Sequence, residues 1–328
     1  MSRPLGGRQV NPVGLGCMSL SWAYGVPPGE DYAIALLNKA LDLSYDHLDT
    51  ANIYGLGHNE TLLGKALKTR RNKFFLATKM GIVVEGPNRG IDCSPEAIRR
   101  NIDLSLQRLQ TDRVDLYYMH RFDPKVPVAD MAGTMGELIA AGKIGSYGVS
   151  EWSAAHIREA HAVTPMAAVQ TEYSLWTRNP EIAVLDTCAE LGITFVAFSP
   201  VGRGVLANGV RDVEALPEKD LRRTMPRFNA ENWPINLGLI DRFNAIAARE
   251  GASPAQLSLA WVLAQGEHVV AIPGTADQQH LAENIARHEW IPSAALLGEL
   301  DALINRHTVA GPRYGPMIQA TVDTEEFS

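Results

Sequence analysis

Residues 48–64 read LDTANIYGLGHNETLLG, and the rest of the chain is read outward from them. The stretch opens as the end of an apolar run, as a buried strand does, and sets Asp49 and Tyr54 where that run gives out. Glycines follow at 55 and 57, and apolar residues then return at three- and four-residue steps, the spacing of a helix. A strand that ends on a carboxylate and a phenol and turns at once into a helix is a βα unit whose loop carries polar chemistry. The competing reading is a dinucleotide fingerprint. Its nearest match, GLGHNE at 55–60, puts Glu60 where the third small residue of G-x-G-x-x-G belongs.

The same alternation runs through the sequence. Apolar runs rich in Val, Ile, Phe and Tyr fall at 13–20, 44–50, 73–79, 114–120, 144–150, 166–173, 193–200 and 268–274. Several are nearly continuous in hydrophobicity, as parallel strands buried on both faces are. Segments of helical periodicity lie between them, among them 30–43, 94–109, 128–142, 180–191, 253–265 and 277–287. Ser94-Pro95 and Ser253-Pro254 place an N-cap before a first-turn proline, and Gly142 and Gly192 close their helices. Eight strands alternating with helices predict a (β/α)8 TIM barrel, since right-handed crossovers between parallel neighbours close naturally into a ring. A barrel of this kind accommodates all of 1–328 as one domain. Two connections exceed plain turns: 201–235 after the seventh strand, read as a lid over a ligand, and the tail 306–328.

Composition narrows the function. The chain is 46% hydrophobic and 20% charged with a formal net charge of −7, and its basic residues are scattered, which argues against a nucleic-acid partner. Cys17, Cys93 and Cys188 form no metal-type spacing, and free thiols fit a reducing compartment. No run approaches the roughly 20 apolar residues of a membrane helix, and the N-terminus lacks a secretory signal. The expectation is a cytoplasmic protein with no membrane partner and no metal.

In such barrels the chemistry lies at the C-terminal ends of the strands. Those ends carry Asp49 and Tyr54, then Lys79, then His120, on three successive strands. A phenol is a poor acid at neutral pH, and a neighbouring ammonium is expected to draw its pKa down while a buried carboxylate keeps the ammonium charged. His120 is placed to orient a carbonyl oxygen. Together the four make a general acid for an oxygen that gains charge.

These motifs resemble the aldo-keto reductases, in the branch similar to potassium-channel β subunits. The resemblance is carried by LDTANIYGLGHNETLLGKAL, FFLATKMG, VDLYYMHRFDP, KIGSYGVSEWSAAHI, AAVQTEYSLW, FVAFSPVGRGVL and IPGTADQQHLAEN, in family order over nearly the whole chain. It implies a TIM barrel with a short N-terminal β-hairpin, and Asp49, Tyr54, Lys79 and His120 as the catalytic tetrad. It further implies NAD(P)H-dependent reduction of an aldehyde or ketone, with Tyr54 as general acid. Ser150 and Gln170 would meet the nicotinamide carboxamide, and Phe198 stands where many members stack an aromatic on the ring. Ser199, Pro200, Val201, Gly202, Arg203 and Gly204 would hold the pyrophosphate. Gly274, Thr275, His280, Glu283 and Asn284 would complete the cofactor site, the last two at the adenine.

The chain departs from the family where the 2′-phosphate of NADPH is held. Ala276 and Asp277 replace commonly basic residues and His280 a frequent Arg, so NADH use becomes plausible beside NADPH. Glu151 stands where many relatives have Asn. Trp22, Tyr24, Trp152, Trp176, Trp233 and Tyr314 are candidates for an aromatic substrate pocket. With no arginine cluster evident, the expected substrate is a neutral carbonyl compound, an aromatic or aliphatic aldehyde, a sugar-derived aldehyde or a bulky cyclic ketone, taken by a monomer or weak homo-oligomer. The alternative is a cofactor-binding regulatory subunit with slow reductase activity. A third reading, Lys79 as a Schiff-base nucleophile, requires a lowered lysine pKa.

Overall fold

The strand that ends at Asp49 is one member of a closed ring, in a computed structural model that describes residues 2–85 and 88–327. An antiparallel hairpin comes first, β1 (Arg3–Leu5) with β2 (Arg8–Val10). The ring begins with β3 (Leu15–Gly16), β4 (His47–Asp49) and β5 (Phe75–Met80). A second hairpin, β6 (Ile82–Glu85) with β7 (Asn88–Ile91), interrupts it. The ring resumes with β8 (Val114–Met119), β9 (Ile144–Ser150), β10 (Ala168–Glu172), β11 (Thr194–Phe198) and β12 (Val269–Ile272). The ring strands pair in parallel in chain order.

Closure depends on the shortest strand. Val13 bridges Ala271 and Gly16 bridges Gly274, with Gly14 N donating to Ala271 O and Ala271 N to Pro12 O, both at 2.8 Å. A side chain at Gly16 would stand 2.9 Å from the Ile272 carbonyl, so this approach needs glycine. The run expected over 13–20 is therefore a strand only at its centre, and Met18–Leu20 winds into a 3-10 turn.

The crossovers are α1 (Glu30–Asp42), α2 (His58–Leu67), α3 (Pro95–Leu109), α4 (Val128–Ala140), α5 (Ala154–Val163) and α6 (Val184–Leu191). After them come α7 (Trp233–Arg249), α8 (Pro254–Leu263), α9 (Gln278–Ala286), α10 (Ala294–Leu303) and α11 (Pro316–Gln319). Ser94 and Ser253 cap α3 and α8 as their sequence indicated, and Gly142 and Gly192 adopt positive φ. The β6–β7 hairpin, α7 and α10 went unanticipated, because a strict eightfold alternation has no place for them. The segment 201–235 is three short 3-10 helices running into the start of α7.

One apolar cluster fills the space between strands and helices, and a second fills the barrel. In the second, Leu5 and Val10 of the first hairpin pack on Phe75, Leu116, Val196 and Val270. Arg3 donates to the Leu263 carbonyl at 2.7 Å, and Thr194 Oγ1 to the Pro4 carbonyl at 2.7 Å. The hairpin thus plugs the N-terminal end and leaves the other end for the site.

Gly148 in β9 tests how tightly the ring is built. A methyl there would lie 2.4 Å from the Ala168 carbonyl and 2.6 Å from Tyr118 Cε1, both held by neighbouring strands. Gly148→Ala is expected to lower unfolding stability by about 1–3 kcal/mol. Urea denaturation measures it, and an unchanged midpoint would contradict this packing.

Candidate active site

Three left-handed residues, Gly55, Leu56 and Gly57, reverse the chain after Tyr54. The turn is braced from below. Asn59 donates to the Cys17 carbonyl at 2.9 Å and to Ser21 Oγ at 2.8 Å, and accepts from Thr50 Oγ1 at 2.6 Å. Buried Glu60 accepts from Thr78 Oγ1 at 2.7 Å and from Arg108 at 2.9 Å. Asn59 and Glu60, in the first turn of α2, are thus the residues that hold the turn.

The structure brings the four strand-end residues together. Lys79 is fully buried, and its ammonium donates to Asp49 Oδ1, to the Thr50 carbonyl at 2.8 Å and to Tyr54 Oη at 3.4 Å. Gln170 Nε2 donates to the other Asp49 oxygen at 2.9 Å. The His120 ring meets the Tyr54 ring edge-on at 6.0 Å, and its buried Nδ1 has no partner among the described residues.

Electrostatics here correct one expectation. Burial raises the Tyr54 phenol above its ordinary value, and the opposing pull of Lys79 does not overcome it. The Tyr54 hydroxyl thus holds its proton near neutrality rather than being drawn toward the phenolate. Burial pulls the Lys79 ammonium down, but Asp49 and Tyr54 together outweigh it and hold the group above its ordinary value. That is the wrong direction for a Schiff-base nucleophile. Burial, reinforced by Arg121, Lys79 and Arg89, pushes His120 well below the usual histidine range, so its imidazole is neutral.

The residues assigned to a cofactor form a crescent across β9 to α9. Ser150 is buried at the end of β9, and Phe198 is half-buried at the end of β11. Ser199, Gly202, Arg203 and Gly204 all have positive φ, and the turn is pinned where Ser258 donates to the Pro200 carbonyl at 2.7 Å. Val201 accepts from Gly204 N and Leu206 N, both at 3.1 Å. Past Gly274, Thr275 Oγ1 accepts from Asp277 N at 3.0 Å, and Asp277 caps α9 by accepting from Gln279 N and His280 N. His280 is exposed, Asn284 is buried, and the Glu283 carbonyl accepts from Gln256 at 3.2 Å.

Arg203, expected at a pyrophosphate, commits its guanidinium to Glu172, to Tyr24 Oη at 3.1 Å and to Tyr314 Oη at 2.8 Å. Tyr314 donates in turn to Glu172, and Arg313 pairs with Glu151 at 2.6 Å. The tail therefore docks beside the site through buried charges. Three further arginines of the 201–235 segment are also engaged. Arg222 pairs with Asp220, Arg223 with Glu214, and Arg227 donates to the Trp176 carbonyl.

Of the aromatic candidates, Trp22 is partly exposed and Tyr24 half-buried. Trp152 is wholly buried, edge-on to Phe122 at 5.0 Å. Trp176 lies buried beneath Arg227, and Trp233 stacks on Phe228 at 5.3 Å. Those three tryptophans pack in the core. Arg89 and Arg121, which no sequence signal singled out, act electrostatically on Tyr54 and His120.

A family model described as "Aldo/keto reductase family" matches residues 12–303. The chain belongs to that family. This aldo/keto reductase is 42% identical over 310 residues to "Probable aldo-keto reductase 1" of Glycine max, covering 94% of this chain and 89% of that protein. It is 40% identical over 323 residues to "Aldo-keto reductase yakc", designated NADP(+), of Schizosaccharomyces pombe, covering 96% and 94%. Among solved structures it resembles the glycerol dehydrogenase AKR11B4 from Gluconobacter oxydans with a TM-score of 0.84 at 28% identity, over 96% of this chain and 98% of that one. The aldo-keto reductase AKR11C1 from Bacillus halodurans matches with a TM-score of 0.74 at 28% identity, over the same shares. Among the described residues no helix is long and apolar enough to cross a membrane, and no group of His, Cys, Asp or Glu is arranged to hold a metal.

The docking network is testable through pH. Burial raises the Glu172 carboxyl, but Arg203 and Arg313 outweigh it and lower it from 4.5 to about 2. A carboxylate depressed in the folded state contributes stability that is present above its unfolded value and lost as pH falls toward the folded one. Wild type is expected to lose about 3 kcal/mol more than Glu172→Gln between pH 5 and pH 2. Urea titrations across that range check this, and a constant difference between the two proteins would refute it.

Proposed function

We propose that this chain reduces an aldehyde or ketone to an alcohol with NADPH, and that Tyr54 donates the proton. The observation that carries this reading is the Lys79 ammonium bonded at once to the Asp49 carboxylate and the Tyr54 hydroxyl, with neutral His120 alongside. When bound, the nicotinamide cofactor supplies the hydride. Tyr54 gives its proton to the carbonyl oxygen, and Lys79 stabilises the phenolate left behind. His120, uncharged and with a free ring nitrogen, orients that oxygen without adding a mobile proton near neutrality. Asp49 keeps Lys79 in place and charged.

The chain's own residues suit a dinucleotide. The left-handed turn at Ser199–Gly204 has the backbone form that makes concave anion sites, and Phe198 offers an apolar face beside it. Ser150 and Gln170 would hold the carboxamide, and Thr275, Glu283 and Asn284 the adenosine end. The relative designated NADP(+) supports NADPH. Asp277, seated on the first amides of α9, puts negative charge where a 2′-phosphate would otherwise meet a basic side chain, which supports use of NADH as well.

Tyr54→Phe is expected to lower kcat for aldehyde reduction at least about 100-fold with little change in cofactor Kd. Wild-type kcat/KM for the carbonyl should stay flat from about pH 6 to 8, since Tyr54 remains protonated and His120 neutral across that range. Steady-state NADPH and NADH oxidation against a panel of aldehydes and ketones measures both. Full activity in Tyr54→Phe would exclude it as the donor, and an NADPH preference above about 1000-fold would exclude the dual-cofactor reading.

A further inference from the structure

Two arginines stand at the mouth of the site with no counterion among the described residues. Arg121 follows His120 directly. Its Nη1 donates to the His120 carbonyl at 2.6 Å and lies 3.5 Å from Ser150 Oγ, and its buried Nε has no partner among the described residues. Arg89 reaches in from β7, on the hairpin that leaves β5 just after Lys79 and Met80. Its guanidinium sits 5.7 Å from the centroid of the Trp22 ring. Burial, with the charge of Arg121 added to it, lowers the Arg89 guanidinium, and both arginines act on His120. Among the described residues neither makes an ion pair, unlike Arg203, Arg222 and Arg313 nearby. Among the described residues, the carboxylates around the mouth have partners of their own. Asp49 is bound by Lys79 and Gln170, Glu172 by Arg203 and Tyr314, and Glu151 by Arg313 and Thr324. Asp92 accepts from Ser94, and Asp123 from the backbone at Cys93 and Lys125.

We propose that the carbonyl substrate also carries an anionic group, a carboxylate or a phosphate, and that Arg89 and Arg121 hold it while the carbonyl reaches Tyr54. This rests on the reductase reading above and replaces the expectation of a neutral substrate. Two adjacent like charges at a partly desolvated mouth repel one another, and an anion between them removes that cost. Guanidinium groups present the planar, forked donors that match carboxylate and phosphate oxygens. The chain as a whole bears a net charge of −7, so the positive mouth is a local feature that concentrates anions against the surrounding field. Trp22 holds Arg89 by its ring face and offers an apolar wall for the part of the substrate between its two polar ends.

The test compares three aldehydes of similar shape with the full-length protein: 4-carboxybenzaldehyde, 4-formylphenyl phosphate and methyl 4-formylbenzoate. At least one anionic aldehyde is expected to exceed the neutral ester in kcat/KM by about tenfold or more, with the gain appearing in KM rather than kcat. Which anion wins distinguishes carboxylate from phosphate. Arg89→Glu should bring that ratio to one or below and favour a cationic aldehyde, such as 4-(trimethylammonio)benzaldehyde, relative to the neutral ester. Arg89→Lys should retain part of the anion preference. If wild type reduces all three at equal kcat/KM, or Arg89→Glu leaves the ratio untouched, the inference is wrong while carbonyl reduction stands. If no aldehyde in the panel supports NADPH or NADH oxidation, the reductase reading fails and this inference with it.

Discussion

The buried ion pair between Lys79 and Asp49 is the constraint around which the rest of the site is organised. Two charges removed from water are costly unless nearly every donor and acceptor is satisfied. Here Lys79 spends its donors on Asp49, the Thr50 carbonyl and Tyr54, while the second Asp49 oxygen takes Gln170. Lys79 lies on β5 and its partners come from β4 and the loop after it, with Gln170 on β10, so the network reaches across the barrel as well as between neighbours. A ring plugged at its other end by Leu5 and Val10 leaves one place for such chemistry. Because Tyr54 completes the lysine's coordination, the group that holds the site together is also bonded to the proposed acid.

A second layer of buried charge surrounds the first. Glu172 at the end of β10 and Glu151 just past β9 anchor Arg203, Arg313 and Tyr314. Farther along, Asp323 accepts from Ser153 N at 2.7 Å and Glu325 from Ala154 N at 2.8 Å, so carboxylates of the tail satisfy the first amides of α5. The tail is thus part of the wall around the site. Glu151 has positive φ and accepts from Glu172 N as well as from Arg313 and Thr324. The substitution that stood out against the family's usual Asn is explained by this duty to the tail.

The tetrad was legible because barrel topology turns position along a strand into position in space. Once the eight runs were read as parallel strands, their ends had to gather at one face, and Asp49, Tyr54, Lys79 and His120 with them. Caps at Ser94 and Ser253 were legible for a local reason, since each contact spans only three residues. The fate of Arg203 was not legible. Its partners lie 31, 111 and 179 residues away, and nothing near it in the chain reveals which carboxylate it will meet. The same holds for Trp152, Trp176 and Trp233, whose type suits a pocket wall or a core equally well until burial decides. Arg89 sits on a hairpin that the strand-helix rhythm did not include.

By itself, then, the sequence determined the closed βα ring, the face at which its strands end and the four residues that meet there, because hydrophobic period and strand order are properties of neighbouring residues. Only the tertiary structure decided the charge state of Tyr54, where burial outweighs Lys79, the capture of Arg203 by the tail, and the convergence of Arg89 and Arg121 on the mouth. Each of these is a balance between desolvation and charges brought together from distant parts of the chain. No reading of the sequence along its length contains those distances.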